Sequence, residues 1–205
     1  MIPAREALER LREGNRRFVS GNLNREILSS PSRRHALVKD QQPYAIILGC
    51  SDSRVPAELV FDQGLGHLFV IRVAGNIVAP SQIGSIEYAA ERFGSRLVVV
   101  LGHSNCGAVE ATLEELQQPS ENRSPNLRSI VGRIRPSVED LLDEGGEISQ
   151  QTMERAVRAN IDASVEQLRH GSEILEQLIR DEGLLIVGAQ YCLEQGVVEF
   201  FDHLE

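Results

Sequence analysis

Cysteine, histidine, aspartate and arginine gather at two places in this chain, Cys50-Ser51-Asp52-Ser53-Arg54 and His103-Ser104-Asn105-Cys106-Gly107. Two thiolates and one imidazole are the soft donors that zinc prefers, and Cys50, His103 and Cys106 fall one ligand short of a closed tetrahedron. Open zinc sites are usually catalytic, because water takes the fourth position and is acidified by the metal. Each piece alone says little: a lone cysteine in a strand is more often a small buried hydrophobe, and His-x-x-Cys also occurs by chance. Cys106 as a nucleophile with His103 as its base is the rival chemistry. A second cysteine at a matched position favours the metal.

Asp52 stands two residues beyond Cys50, within reach of the fourth position. It could accept a hydrogen bond from zinc-bound hydroxide, or displace the water and close the site. Arg54 decides between these, since a bidentate guanidinium–carboxylate pair holds Asp52 off the metal. The plainer alternative is an exposed ion pair, which contributes little. Two thiolates cancel the ion's charge, so water on this zinc should be a weaker acid than water on one held by three histidines.

Both ligand stretches close an apolar run, Tyr44-Ala45-Ile46-Ile47-Leu48-Gly49 in one case and Arg96-Leu97-Val98-Val99-Val100-Leu101-Gly102 in the other. Short β-branched runs ended by glycine read as buried strands, and the residues past their carboxyl ends lie where open α/β sheets hold ligands. Further strands are expected over 68–73 and 184–189. Helices are expected over 3–20, 82–93, 107–116, 127–144, 151–168 and 172–180, with a short one after Pro56. A hairpin should turn at Gln195-Gly196. The pattern predicts an α/β fold, with a mainly parallel central β-sheet flanked by helices and a C-terminal edge hairpin. We expect a single domain over 1–205, with an N-terminal helix and polar arm (1–43) before the α/β core (44–205). The arm should wrap another subunit or the sheet surface. Cys192 reads as packing.

The 205 residues suffice for one substantial core. A net charge of −9 argues against nucleic acid or an anionic membrane as the main partner. No apolar stretch approaches the roughly 20 residues of a membrane span, and the first residues lack a signal peptide's pattern, so a cytoplasmic protein is expected. An odd count of three cysteines disfavours a disulfide framework.

Cys50-Ser51-Asp52-Ser53-Arg54 followed by Gly102-His103-Ser104-Asn105-Cys106-Gly107 resembles the β-class carbonic anhydrases. The likeness continues at Arg72-Val73-Ala74-Gly75-Asn76, Ser85-Ile86-Glu87-Tyr88-Ala89 and Gly188-Ala189-Gln190-Tyr191. It implies one Zn2+ per chain on Cys50, His103 and Cys106, with attack of zinc-bound hydroxide on carbon dioxide to give bicarbonate. It makes the Asp52–Arg54 dyad the catalytic gate. Gln41, Phe69, Tyr88 and Gly107 match substrate-binding positions of the plant-type branch, in a pocket assembled across a dimer interface. In another branch a tryptophan three residues before the first zinc cysteine serves a regulatory bicarbonate site. Ile47 stands there in this chain, so no cooperative inhibition by bicarbonate is expected. The same scaffold could hydrolyse carbonyl sulfide or carbon disulfide, or serve as a non-catalytic zinc or bicarbonate-binding subunit. Retention of Asp52, Arg54 and Gln41 speaks against the last.

Overall fold

The computed structural model describes residues 2–24, 30–119, 124–142 and 148–201. The apolar runs become β1 (Ala45–Gly49), β2 (Leu68–Arg72), β3 (Leu97–His103), β4 (Leu185–Tyr191) and β5 (Val198–Phe201), paired in the order β2-β1-β3-β4-β5. The first four strands run parallel, and β5 lies antiparallel to β4. β1 and β3 are buried along their whole length, as strands covered on both faces must be.

Side chains alternate between the two faces. Ala45, Ile47, Val99, Leu101, Val187 and Ala189 meet α1 (Ala4–Val19) and the short α3 (Ala57–Val60). Ile46, Leu48, Val98, Val100 and Ile186 face the other layer. That layer is built from α4 (Pro80–Arg92), α5 (Gly107–Gln117), α6 (Pro125–Val138), α7 (Gln150–His170) and α8 (Glu173–Glu182). This is the α/β architecture expected, with its N-terminal helix and its antiparallel strand pair at the C-terminal edge.

The ends of several elements differ from expectation for identifiable reasons. α4 begins at Pro80 rather than Gln82, because a proline in the first turn gives up no hydrogen bond. β3 continues past Leu101 to His103, since β4 supplies partners as far as Tyr191. His103 is therefore the last residue of a strand, not the first of a loop. α6 stops at Val138 and gives way to a 3-10 turn (Glu139–Leu141), soon after Pro136 removes an N–H from the ladder. Gly145 and Gly146, where a break between the helices expected over 127–144 and 151–168 would fall, lie outside the described residues. The last hairpin turns at Gly196 (φ +74°), where the Cys192 carbonyl accepts the Gly196 N–H at 2.9 Å.

α1 buries Ala4, Ala7, Leu8 and Leu11, a stripe at helical spacing. Gly14 lets it close on the chain: a Cβ there would stand 1.8 Å from the Phe61 carbonyl oxygen. The buried Asn15 donates to the carbonyls of Val60 (3.1 Å) and Gly196 (2.9 Å) and accepts the Val198 N–H (2.9 Å). One side chain thus ties the first helix to the last hairpin. α1 thus packs against the chain's own sheet. The following α2 (Pro31–Ala36) buries none of its residues. Among the described residues no helix is long and apolar enough to cross a membrane.

Candidate metal centre

The chain leaves β1 for β2 on one side and reaches β3 on the other, so strand order reverses between β1 and β3. The crevice outside the carboxyl ends of such neighbours is where open α/β sheets bind ligands. Cys50 is the first residue after β1, His103 the last of β3, and Cys106 comes within one tight turn of it. Their ligand atoms lie within 4.8 Å of one another, and all three residues are buried. The turn is made by Asn105 at φ +52°, a left-handed conformation that asparagine tolerates better than most residues. Ser104 pins it to the neighbouring strand: its N–H donates to the Tyr191 carbonyl at 2.9 Å, and its Oγ accepts the Leu193 N–H at 3.0 Å.

His103 Nδ1 stands 2.9 Å from the Ser104 carbonyl oxygen. A carbonyl only accepts, so Nδ1 carries the proton and Nε2 keeps a lone pair. That Nε2 is buried with no hydrogen-bond partner, which costs about 1–3 kcal/mol unless something else takes the lone pair. The Cys50 thiol is pulled well down, chiefly by its hydrogen bond with Cys106, against the opposing effect of burial. The N–H groups of Asp52 and Gly75 add to the lowering. Cys106 is pushed up by the same pairing and by its own burial. On their own the two sulfurs share one proton and titrate as a pair, and a divalent cation displaces that proton. Two sulfurs and an imidazole with a free lone pair fit a soft ion of tetrahedral preference.

Asp52 lies at the mouth of this cluster, with Oδ2 3.8 Å from His103 Nε2. Arg54 grips both its oxygens: Nε donates to Oδ1 at 2.9 Å and Nη2 to Oδ2 at 2.6 Å. The Arg54 backbone N–H adds a bond to Oδ1 at 2.9 Å. Hydrogen bonding from this guanidinium holds the Asp52 carboxyl well below the usual carboxylate range.

Arg72 has a part in the site that its sequence context alone does not assign. Its Nε donates to the Cys50 carbonyl at 3.0 Å and its Nη2 to the Asp52 carbonyl at 2.6 Å, so it fixes the backbone on both sides of Ser51. A charge closing the apolar run of β2 was the available signal. The 3-10 turn Ala74–Asn76 also reaches the site, because the Gly75 N–H donates to Cys50 Sγ at 3.4 Å.

Gln41, Phe69 and Tyr88 lie apart from the cluster. Gln41 and Tyr88 line one groove with Arg92 and Phe93, and that lining includes none of Cys50, Asp52, His103 or Cys106. The Phe69 ring is 6.2 Å from that of Tyr88. Phe69 pairs in register with Ile46, about 13 Å of strand before Cys50. Gly107 opens α5 directly after Cys106, and a Cβ there would meet nothing within 4 Å. Among the described residues nothing therefore requires glycine at 107. Ile47 is fully buried in the layer beneath α1. Cys192 sits in the final hairpin turn, outside the cluster.

An open α/β sheet with a soft three-ligand cluster at its switch point defines the class: an α/β protein with a candidate metal centre. A family model described as carbonic anhydrase matches residues 45–198. The carbonic anhydrase of Mycolicibacterium smegmatis is 40% identical over 198 residues, covering 97% of this chain and 93% of that protein. Carbonic anhydrase 2 of Mycobacterium tuberculosis is 38% identical over 200 residues, with the same coverage of 97% and 93%. Among solved structures, the β-carbonic anhydrase CcaA superposes with a TM-score of 0.73 at 28% identity, covering 95% of each chain. The β-carbonic anhydrase CafA of Aspergillus fumigatus gives a TM-score of 0.74 at 25% identity, over 85% of this chain and 83% of that one. The chain belongs to the β-carbonic anhydrase family, enzymes whose general reaction is the hydration of carbon dioxide.

Proposed function

We propose that this chain catalyses the reversible hydration of carbon dioxide to bicarbonate and a proton, with one Zn2+ held by Cys50, His103 and Cys106. One observation carries the reading: the unpartnered His103 Nε2 lies within ligand reach of two buried sulfurs, beside a carboxylate clamped by Arg54. Zinc bound there supplies Lewis acidity and makes hydroxide available near neutral pH.

The chain's own residues then orient the reaction. Asp52 is ionised across the working range and can only accept hydrogen bonds. Its Oδ2 would accept a hydrogen bond from the attacking oxygen, and so orient that oxygen's lone pair towards the carbon of carbon dioxide. Arg54 holds the carboxylate in that orientation and off the metal. Arg72 holds the carbonyls of Cys50 and Asp52, so ligand and gate keep their spacing. Bicarbonate then departs and the proton passes to solvent.

Carbon dioxide is neutral and linear, and needs an apolar slot with few polar contacts. In the plant-type arrangement the Gln41 carboxamide donates to a substrate oxygen, and Phe69 and Tyr88 wall the slot. We assign these three to the neighbouring subunit's metal, in a homodimer or larger assembly. Three features support this: the Gln41–Tyr88 groove holds none of its own chain's ligands, Tyr88 is 52% exposed, and the space over Gly107 is open.

Stopped-flow assay of the zinc-loaded protein is expected to show carbon dioxide hydration well above any sulfide release from carbonyl sulfide or carbon disulfide. Sulfide release without hydration would reassign the substrate. The shared pocket has its own test. Gln41→Ala lacks the donor and Cys50→Ala lacks a ligand, so each alone should be nearly inactive. Co-expressed in equal amounts, they should recover about a quarter of parental activity. Half the dimers are then mixed, and each mixed dimer holds one complete site of two. No recovery in mixed dimers would place Gln41 in its own chain's site.

A further inference from the structure

We propose that Asn160 and Ser164 of α7 are positioning residues for the Cys50 sulfur, a role that rests on Cys50 being a metal ligand. The rest of the buried face of α7 is apolar, formed by Met153, Ala156, Val157, Ile161, Val165 and Leu168. Asn160 and Ser164 lie four residues apart on that face and are only 3% and 5% exposed. A buried amide or hydroxyl is costly unless it finds a partner. Both find theirs in the same turn. Asn160 Nδ2 donates to the Gly75 carbonyl at 2.9 Å, and Ser164 Oγ donates to the Asn76 carbonyl at 3.2 Å. The N–H of that same Gly75 is the one bonded to Cys50 Sγ.

The turn has reason to need these anchors. Gly75 (φ +69°) and Asn76 (φ +44°) are both left-handed, a pair of conformations an unsupported chain disfavours. Gly75 is also tightly enclosed: a Cβ there would stand 2.7 Å from Ile134 Cδ1 and 3.1 Å from Ala108 Cβ. α7 is itself seated against β3, where a Cβ on Gly102 would come 2.5 Å from Ile161 Cδ1. The path from sheet to sulfur therefore runs from Gly102 and Ile161 through Asn160 to the Gly75 carbonyl, and across that residue to its N–H. An N–H aimed at a thiolate draws charge from the sulfur and fixes its direction, and outer partners of this kind tune metal affinity.

The test compares Asn160→Ala with Val165→Ala, a cavity on the same helix face that touches neither carbonyl. Zinc dissociation constants are measured by chelator competition, and thermal melting ranks the two variants for stability. Asn160→Ala is expected to weaken zinc binding about 10–100-fold, Ser164→Ala to weaken it less, and Val165→Ala to leave it near parental. With cobalt in place of zinc, the thiolate-to-metal charge-transfer band of Asn160→Ala should move to longer wavelength, since the sulfur loses a donor. Equal losses in Asn160→Ala and Val165→Ala, with no band shift, would reduce Asn160 to a stability residue. If Asn160→Ala does not fold, Ser164→Ala decides by the same two readouts. A parent protein that takes up no metal would remove the ligand assignment and this inference together, whereas a metal-binding parent with unaffected variants removes this inference alone.

Discussion

Arg54→Ala is expected to keep its zinc yet lose carbon dioxide hydration about 100-fold near pH 7, the scale of a misplaced catalytic group, with part of the rate returning as pH rises. The cause is the clamp on Asp52. Three donors from Arg54 now hold the carboxylate, whose Oδ2 is only 3.8 Å from His103 Nε2. Without the guanidinium, the carboxylate is free to move onto the ion and take the position water needs. The sign of the pH effect is set by the groups involved. Arg54 keeps the Asp52 carboxyl below its ordinary range, and its removal lets that carboxyl return towards a pKa of about 3.9. Asp52 thus stays ionised through neutral and alkaline pH, and its own titration adds nothing there. Hydroxide alone varies, being scarce at low pH and abundant at high pH, so closure is strongest on the acid side. Asp52→Asn should also keep zinc and be slow, but without that acid-side closure. The measurement is the pH–rate profile of both variants at known zinc occupancy. Parental rates for Arg54→Ala across about pH 6.5–9, the range where a zinc-activated water ionises, would leave the dyad as a structural ion pair.

Cys50→Ala, His103→Ala and Cys106→Ala should each lose zinc and activity together. With three candidate protein ligands, losing one leaves two, and the further donor nearby, the Asp52 carboxylate, is held by Arg54. The losses should also be felt in the fold. Cys50→Ala strips the Gly75 N–H of its acceptor, and His103→Ala opens a hole at the fully buried end of β3. Cys192→Ser, in the hairpin turn, should leave zinc content unchanged. Metal analysis of the purified variants decides the matter. Any one of the three that retained a full complement of zinc would leave the ligand set.

The candidate ligand cluster and the Asp52–Arg54 pair beside it were legible because their grammar is local. An apolar run ended by glycine fixes a strand end, and residues just past a strand's carboxyl end in an open sheet face the ligand crevice. Asp52 and Arg54 are close enough in sequence for a bidentate pair to be foreseen from side-chain chemistry alone. The helical stripes of α1 and α4 and the hairpin at Gly196 were legible for similar reasons, since periodicity and turn chemistry act over a few residues.

Only the tertiary structure decided what depends on partners far along the chain. β3 runs on to His103 because β4 pairs with it, which no reading of residues 96–103 could supply. α1 closes on its own sheet because Gly14 allows the approach and Asn15 finds its partners near Val60 and Gly196. Asn160 and Ser164 look, in sequence, like two polar interruptions of an apolar face. Their use appears only when α7 is laid against the Gly75 turn, 85 residues earlier in the chain for Asn160. Hydrophobic periodicity is a property of one segment. A hydrogen bond between a helix and a distant turn is a property of how segments are packed, and that packing is where the sulfur of Cys50 acquires its donor.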